Sequence, residues 1–133
     1  MARSVSLIEP YRTKSEKQMS VLAQKSYAFA IRIVKCRNHL QKKKEYTLSK
    51  QLLRSGTAIG ALISEGRFAE SKQDFSHKLQ IALKEANESK YWLRLLRDTS
   101  YLEEPIAASL LKDNEEIINL LVKSIKTLKG LKQ

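Results

Sequence analysis

Two short motifs combine a histidine with a second group that could do chemistry. Cys36 and His39 are three residues apart, and Asp74 and His77 repeat that spacing. On a helix, the first pair could join a thiol to a general base, and the second could supply part of a carboxylate-bridged di-metal site. The orienting third group and the second matching motif that these sites need are missing from the sequence. We therefore interpret Cys36 as a core residue and Asp74 and His77 as surface residues of a first helical turn, and we predict no metal and no cofactor.

Three carboxylates are the remaining candidates for acid–base chemistry. Glu85 and Glu88 share one helix surface, whereas a pair of catalytic carboxyl groups would face each other across a cleft. Ion pairing with the nearby Lys84 and Arg94 is the simpler interpretation. Glu65 precedes Gly66, so it could be functional or could fix a helix end, and the sequence leaves both open.

Adjacent aromatic residues, Tyr91 and Trp92, could stack on nucleic-acid bases. Aromatic side chains at helical spacing are more often buried in a core or a subunit interface, which is our interpretation here. The sequence contains no glycine-rich phosphate loop, no Ser-His-Asp set and no zinc-ligand spacing. We therefore predict that the protein is not an enzyme.

A row of basic residues is the strongest functional signal. Four of them are spaced by seven, three and seven residues, which places them along one side of a helix, and two more follow at its end. We call this set the basic stripe: Lys25, Arg32, Lys35, Lys42, Lys43 and Lys44. No Asp or Glu occurs between Lys17 and Lys44. A face that only kept the protein soluble would mix acids with bases, so the stripe indicates a polyanionic partner.

The distribution of charge along the chain supports that interpretation. The formal net charge is +11. Residues 1–50 carry +9, from 12 Lys and Arg against 3 Asp and Glu, whereas residues 51–104 are neutral and residues 105–133 carry +2. A basic excess confined to one part of a chain is typical of nucleic-acid contact.

The elements that must position these residues are helices. We predict an all-α fold, an up-down-up-down antiparallel four-helix bundle over residues 15–133, preceded by a flexible arm over residues 1–14. Helix starts are indicated by Ser15 with Gln18, by Thr47, by Ser71 with Asp74, and by Pro105. The first helix should end near residue 40, before an exposed loop over 41–46.

Apolar periodicity defines the faces of these helices. The first helix carries Leu22, Ser26, Phe29, Ile33, Cys36 and Leu40 on one face and Ala23, Tyr27, Ala30 and Val34 on the next. This arc is wider than one neighbour requires, which predicts a second interface with another subunit. In the second helix, Gly56 and Gly60 predict close approach of a neighbouring helix. In the fourth, the predicted core positions are Ile106, Leu110, Asn114, Ile117, Leu121, Ile125 and Leu128.

The bulk composition excludes several classes of protein. Only four Gly and two Pro interrupt 133 residues, which favours long helices over sheets and turns. No run of about 18 apolar residues could span a membrane, no secretory signal is evident, and one cysteine cannot form an internal disulfide. We expect a cytoplasmic protein.

Several ordered segments resemble one known family. They are LLRSGTAIGA (residues 52–61), EG (65–66), SKQDF (71–75), ALKEANE (82–88) and YWLRLL (91–96). In sequence and spacing they resemble the four-helix-bundle proteins encoded by intervening sequences in bacterial 23S ribosomal RNA genes. The resemblance covers roughly residues 17–128. Leu62 departs from the pattern, since relatives commonly have Asn there; it either loses a polar role or adds packing.

The resemblance implies a homopentameric four-helix bundle. It also implies kinship with the accessory variability proteins of diversity-generating retroelements, which bind nucleic acid and assist a reverse transcriptase. Together with the basic stripe, this predicts a nucleic-acid-binding accessory factor of a mobile or intervening element, with RNA or DNA and a reverse transcriptase as partners. The alternative is a structural homo-oligomer that scaffolds a protein partner.

Overall fold

Four α-helices make up the computed structural model, which describes residues 13–130. They are α1 (Lys14–Lys42), α2 (Thr47–Gly66), α3 (Lys72–Asp98) and α4 (Glu104–Leu128). Helices that follow each other in the chain pack together, and α1 also packs against α4. Within the described residues there is no strand, so the chain folds as an all-α four-helix bundle. None of these four helices is long and apolar enough to cross a lipid bilayer.

The start of α1 lies two residues earlier than the sequence predicted. Thr13, not Ser15, is the N-cap: Glu16 N donates to Thr13 Oγ1 at 3.1 Å, and Thr13 N donates to Glu16 Oε1 at 2.8 Å. The reciprocal bonds suit a carboxylate better than the amide of Gln18, because the positive end of the helix dipole favours the negative charge. Residues 1–12 of the predicted arm and residues 131–133 of the predicted bundle lie outside the described residues.

The α1–α2 connection is shorter than predicted, and a different residue caps α2. The first helix continues to Lys42, and Lys44 adopts a left-handed conformation with φ of 64°. Thr47 is already helical. The buried carboxylate of Glu45 instead accepts hydrogen bonds from Leu48 N at 3.0 Å and Ser49 N at 2.7 Å. A glutamate can therefore satisfy the free N–H groups of a helix start from a position that the usual Ser/Thr signal misses.

The starts of α3 and α4 and the end of α4 agree with the sequence predictions. Asp74 N donates to the Ser71 hydroxyl at 3.0 Å, which caps α3. Pro105 lies in the first turn of α4. Gly130 follows the end of α4 with φ of 72°, the left-handed conformation that glycine adopts most readily.

The apolar faces of the four helices pack against one another in the core. All six residues predicted for the main face of α1 are buried. The adjacent face is partly open: Tyr27 is 70% exposed and Val34 is also exposed, whereas Ala23 and Ala30 are half-buried. Leu62 is partly buried and packs against the core, so it adds packing. The prediction for α4 was wrong at Ile106, which is exposed, while Ala107 is buried in its place.

Close helix approach at the glycines of α2 is confirmed. A methyl group added at Gly56 would lie 2.8 Å from Ile33 Cγ1, and one at Gly60 would lie 3.3 Å from the carbonyl oxygen of Ser26. Both neighbours belong to α1. The two glycines therefore set how closely α1 and α2 pack, and this keeps the basic residues of α1 beside the bundle.

Candidate nucleic-acid interface

The basic stripe lies along α1, but its residues have different surroundings. Lys25 and Arg32 are on the side of α1 that faces α4. Lys25 Nζ lies 3.4 Å from Glu116 Oε1, and Arg32 Nη1 lies 2.5 Å from Asp113 Oδ2. Arg32 Nη2 also donates to the Ser109 hydroxyl at 3.0 Å. These two cations are therefore paired with carboxylates, although both ion pairs are partly open to solvent, where such pairs contribute only about 0–1 kcal/mol.

The remaining four residues of the stripe are exposed at the end of α1. Lys43 Nζ donates to the carbonyl oxygen of Tyr101 at 3.0 Å, which ties this end of α1 to the α3–α4 connection. Within residues 13–130, Lys35, Lys42 and Lys44 have no carboxylate within ion-pair distance. Positive charge without a partner is thus concentrated where α1 ends.

Pairing between α1 and α4 was missed at the sequence level. Acids are absent between Lys17 and Lys44, but Asp113 and Glu116 reach Arg32 and Lys25 from α4. A usable signal existed, because Asp113 and Glu116 are three residues apart and share one side of α4. The first and last helices of a four-helix bundle can be neighbours, so acids on α4 can neutralise bases on α1.

An apolar groove runs beside the stripe, between α1 and α4. It has a volume of about 230 Å³ and is lined by Arg32, Lys35, Cys36, His39, Leu102, Ile106 and Leu110. Leu102, Leu110 and Cys36 are buried and form its floor, whereas Ile106 is 38% exposed. Sequence reasoning did not identify this groove, since Ile106 was assigned to the core.

The Cys36–His39 pair has no catalytic geometry. Cys36 is 7% exposed and belongs to the core, while His39 is exposed. Burial raises the pKa of the Cys36 thiol to about 11, and the nearby charge of Arg32 offsets this only in part. The thiol is therefore protonated at neutral pH, and a thiolate is the form that acts as a nucleophile.

Asp74 and His77 line an open cleft of about 880 Å³ between the start of α3 and the end of α4. Asp74 N is bonded to the capping Ser71, and the Asp74 carboxylate accepts from Glu70 N at 3.3 Å. Among residues 13–130, no group of three or more His, Cys, Asp or Glu side chains could hold a metal ion. Asp74 lies in the first turn of α3, as predicted, whereas His77 is an exposed residue of the second turn.

Glu85 and Glu88 form ion pairs, but with a different partner from the one predicted. Arg54 of α2 contacts both carboxylates, Glu85 at 3.3 Å, whereas Lys84 and Arg94 were expected to do so. The indole N–H of Trp92 donates to Glu88 Oε2 at 2.9 Å. That hydrogen bond lowers the pKa of the Glu88 carboxyl; burial opposes the shift, and Arg54 adds to it. Glu88 is therefore ionised at neutral pH and serves as an acceptor.

Of the remaining candidates, Glu65 is ion-paired and Trp92 is packed, whereas Tyr91 does not belong to the core, one of the two locations predicted for it. Glu65 Oε1 lies 3.3 Å from Lys78 Nζ, an exposed ion pair that joins the end of α2 to α3. Trp92 packs against the core and meets Tyr91 edge-on, with ring centroids 5.0 Å apart. Tyr91 itself is exposed. Among residues 13–130, the end of α1 and the groove beside it combine unpaired positive charge with an apolar surface, so they are the candidate interface.

Comparisons with known proteins agree with this architecture. No curated protein matches the chain. A crystal structure of a protein of unknown function from the S23 ribosomal protein family of Bacteroides thetaiotaomicron superposes with a TM-score of 0.81 at 48% identity, covering 82% of this chain and 98% of that one. The family model described as 23S rRNA-intervening sequence protein matches residues 18–123. The chain therefore belongs to the 23S rRNA-intervening sequence protein family.

Proposed function

We propose that this protein is a non-enzymatic accessory factor that binds the backbone of RNA or DNA through the basic stripe. The observation that carries the proposal is the cluster of exposed lysines at the end of α1, Lys35, Lys42 and Lys44, which lack carboxylate partners among residues 13–130. Cations held apart from acids attract a polyanion and release its condensed counterions. Lys25 can join once a phosphate competes with its solvent-exposed partner Glu116, while Arg32 stays paired with Asp113.

Recognition should depend on the nucleic-acid backbone more than on sequence. An α-helix cannot enter the deep, narrow major groove of A-form RNA, and lysine ammonium groups act as point charges on phosphates. Three lysines of one subunit would give a slope of log affinity against log salt of about −2 on single strands and about −3 on B-form DNA. Weak dependence on sequence and strong dependence on salt are therefore the expected signature.

Charge reversal at Lys35 and Lys42 tests the interface. The Lys35→Glu/Lys42→Glu variant should bind RNA and DNA less tightly, and its salt slope should become shallower by about 1.5 to 2, because two phosphate contacts are lost. Fluorescence anisotropy across a salt series measures both. These sites are preferable to Arg32, where a glutamate would face Asp113 and disturb the bundle.

A matched control exists on α3, which does not pack against α1. Lys72→Glu/Lys84→Glu changes the net charge by the same amount at two exposed positions. It should retain most of the affinity and the salt slope of the unaltered protein. Equal losses in both variants would show a response to net charge alone and would remove the stripe from the mechanism, leaving the scaffold function as the better hypothesis.

We also propose that the protein assembles as a homopentamer in the cytoplasm, the number five coming from the family resemblance. The open second face of α1 supports association. Tyr27 lies on a groove of about 390 Å³ between α1 and α2 that is otherwise lined mainly by small residues, among them Ala23, Ala30, Gly60 and Ala61. Small residues allow another subunit to approach closely. The same face would serve the alternative function, a scaffold for a protein partner.

Tyr27→Glu should dissociate the assembly. A carboxylate in a buried subunit interface lacks a partner and is strongly unfavourable. Multi-angle light scattering should give a mass near five times 15.3 kDa for the unaltered protein and a smaller mass for Tyr27→Glu. Tyr46→Glu in the α1–α2 connection is the matched control, since Tyr46 is also exposed and lies outside this groove, so the change should leave the mass unchanged. A monomeric unaltered protein would contradict association, and a dimer would contradict only the number.

We further infer that the helices run up-down-up-down. Between α1 and α4, Lys25 contacts Glu116 while Arg32 contacts Asp113, so residue numbers rise on one helix as they fall on the other. Between α2 and α3, Arg54 contacts Glu88 and Glu65 contacts Lys78 in the same reversed order. This arrangement brings the α1–α2 and α3–α4 connections to one end of the bundle, beside the open lysines.

A further inference from the structure

We propose that the groove between α1 and α4 takes one unpaired base, so that the protein prefers single-stranded nucleic acid to a duplex. This inference rests on the nucleic-acid binding proposed above and adds a ligand class to the same interface. The groove adjoins the open end of the basic stripe: Lys35 lines it, and Arg32 and His39 lie on the same side. A base inserted there would keep its own phosphates beside the exposed lysines.

The composition of the groove suits a flat ring attached to an anion. Its α1 side is basic, with Arg32, Lys35 and His39, whereas its floor and its α4 side are apolar, with Leu102, Ile106 and Leu110. Its volume of about 230 Å³ is below the roughly 300 Å³ at which pockets for drug-sized ligands begin. The groove is therefore large enough for one ring and small for a whole drug-sized molecule.

Arg32 is held in a position where it can support stacking. Its guanidinium donates to Asp113 at 2.5 Å and to Ser109 at 3.0 Å, while 38% of the side chain remains exposed. A guanidinium whose edge is fixed by a carboxylate and a hydroxyl still offers a planar surface, and arginine planes stack on unpaired bases. In this assignment, Arg32 contacts a base, and Lys35 and Lys42 contact phosphates.

Ile106 is the side chain that distinguishes base insertion from a purely electrostatic contact. It follows the periodicity of a core residue, yet it is 38% exposed at the start of α4 and lines the groove. A base in the groove would cover this apolar surface. A duplex keeps its bases stacked inside, so it can contact the lysines but cannot fill the groove.

The experiment compares three probes of equal length by fluorescence anisotropy: an oligo(U) strand, an abasic strand with the same phosphates, and an RNA duplex. The unaltered protein should bind oligo(U) more tightly than the abasic strand. Ile106→Ala should lower the affinity for oligo(U) about fivefold, the low end for loss of one stacking contact, and should leave the other two affinities unchanged. His39→Ala should act in the same direction.

Ile31→Ala is the matched control. Ile31 is 43% exposed on α1, near Lys35 but outside the groove, so the same truncation there should change none of the three affinities. Equal binding of oligo(U) and the abasic strand by the unaltered protein, or a loss in Ile106→Ala that is equal on all three probes, would overturn the base site.

The two proposals fail in different ways. In one outcome, Lys35→Glu/Lys42→Glu weakens binding to all three probes and Ile106→Ala changes none of the three affinities. That result would support the backbone interface and overturn the base site. If the unaltered protein binds none of the probes, the nucleic-acid function and the base site are overturned together.

Discussion

Replacing Asn114 with Asp is expected to destabilise the bundle by about 3–5 kcal/mol, the range for a buried charge without a partner. Asn114 is 1% exposed in the middle of α4, and its Nδ2 donates to the carbonyl oxygen of Ala86 on α3 at 2.9 Å. An aspartate has no donor to offer, so its carboxylate would face another acceptor inside the core. Because domains are stable by only about 5–15 kcal/mol, much of the stability would be lost.

The pH dependence of this loss identifies its cause. A buried, unpartnered carboxyl has a folded-state pKa above its unfolded value of about 3.9. The folded variant then binds more protons than the unfolded chain, so its stability falls as pH rises through the folded-state pKa. The difference in unfolding free energy between variant and unaltered protein should therefore be smaller near pH 4 than at pH 7.

Chemical denaturation followed by circular dichroism, at one fixed protein concentration, measures this difference. Asn119→Asp is the matched control, because Asn119 is exposed on the same helix and the change there should cost little. A loss for Asn114→Asp no larger than for Asn119→Asp, or one that does not change with pH, would show that position 114 tolerates a charge.

Asn114→Leu separates the polar contact from the packing. The Asn114 Oδ1 atom has no hydrogen-bond partner, so the residue keeps an unsatisfied acceptor in the core. Leucine of similar size should therefore be neutral or stabilising, because the carbonyl oxygen of Ala86, inside α3, still accepts a hydrogen bond from the helix backbone. The value of Asn114 would then lie in fixing how α4 aligns along α3, since its amide must meet the carbonyl oxygen of Ala86.

The helices and most of the core could be predicted from sequence because apolar spacing reports which side of a helix is buried. Asn114 itself was predicted as a core position, and its burial confirms this. Ile106 was assigned wrongly by the same rule. It belongs to the first turn of α4, where the adjoining connection and the position of Ala107 decide which side chain turns inward. Periodicity is weakest at such a helix end.

The specific partners that other helices contribute could not be predicted. The basic residues of α1 were identified, but the pairing of Arg32 with Asp113 depends on how α4 lies against α1. The same holds for Arg54, which reaches Glu85 and Glu88 from α2, and for the capping of α2 by Glu45. Each requires the three-dimensional distance between residues, which a spacing rule within one helix does not provide.

The groove beside the stripe shows how these two kinds of information combine. Its basic side comes from one helical face of α1, which the sequence predicts. Its apolar side comes from Leu102, Ile106 and Leu110 on the other side of the α1–α4 boundary. Under the proposed function, the charged face would attract any polyanion, and the small apolar groove beside it would favour a nucleic acid with unpaired bases.

The effects of substitutions at Gly56 and Ile33 on the unfolding free energy should be strongly coupled. In Gly56→Ala, the new methyl group would lie 2.8 Å from Ile33 Cγ1 and 2.9 Å from Cγ2. Both atoms are attached to the branched Cβ of a fully buried side chain, so they cannot move aside by a simple rotation. We expect a loss of about 1–3 kcal/mol from overpacking, which outweighs the roughly 0.5–1 kcal/mol gained by replacing a helical glycine.

Ile33→Ala should cost about 2–5 kcal/mol through the cavity that it leaves. In the double variant the methyl group at position 56 occupies part of that cavity, so the combined loss should be smaller than the sum of the single losses by about 1–3 kcal/mol. Chemical denaturation of the unaltered protein, the two single variants and the double variant gives the four unfolding free energies of this double-mutant cycle. Additive losses would mean that the loss in Gly56→Ala does not arise from contact with Ile33, which would contradict the coupling. A large coupling would mean that Gly56 fixes the distance between these helices and hence the position of α1, with its lysines, on the bundle.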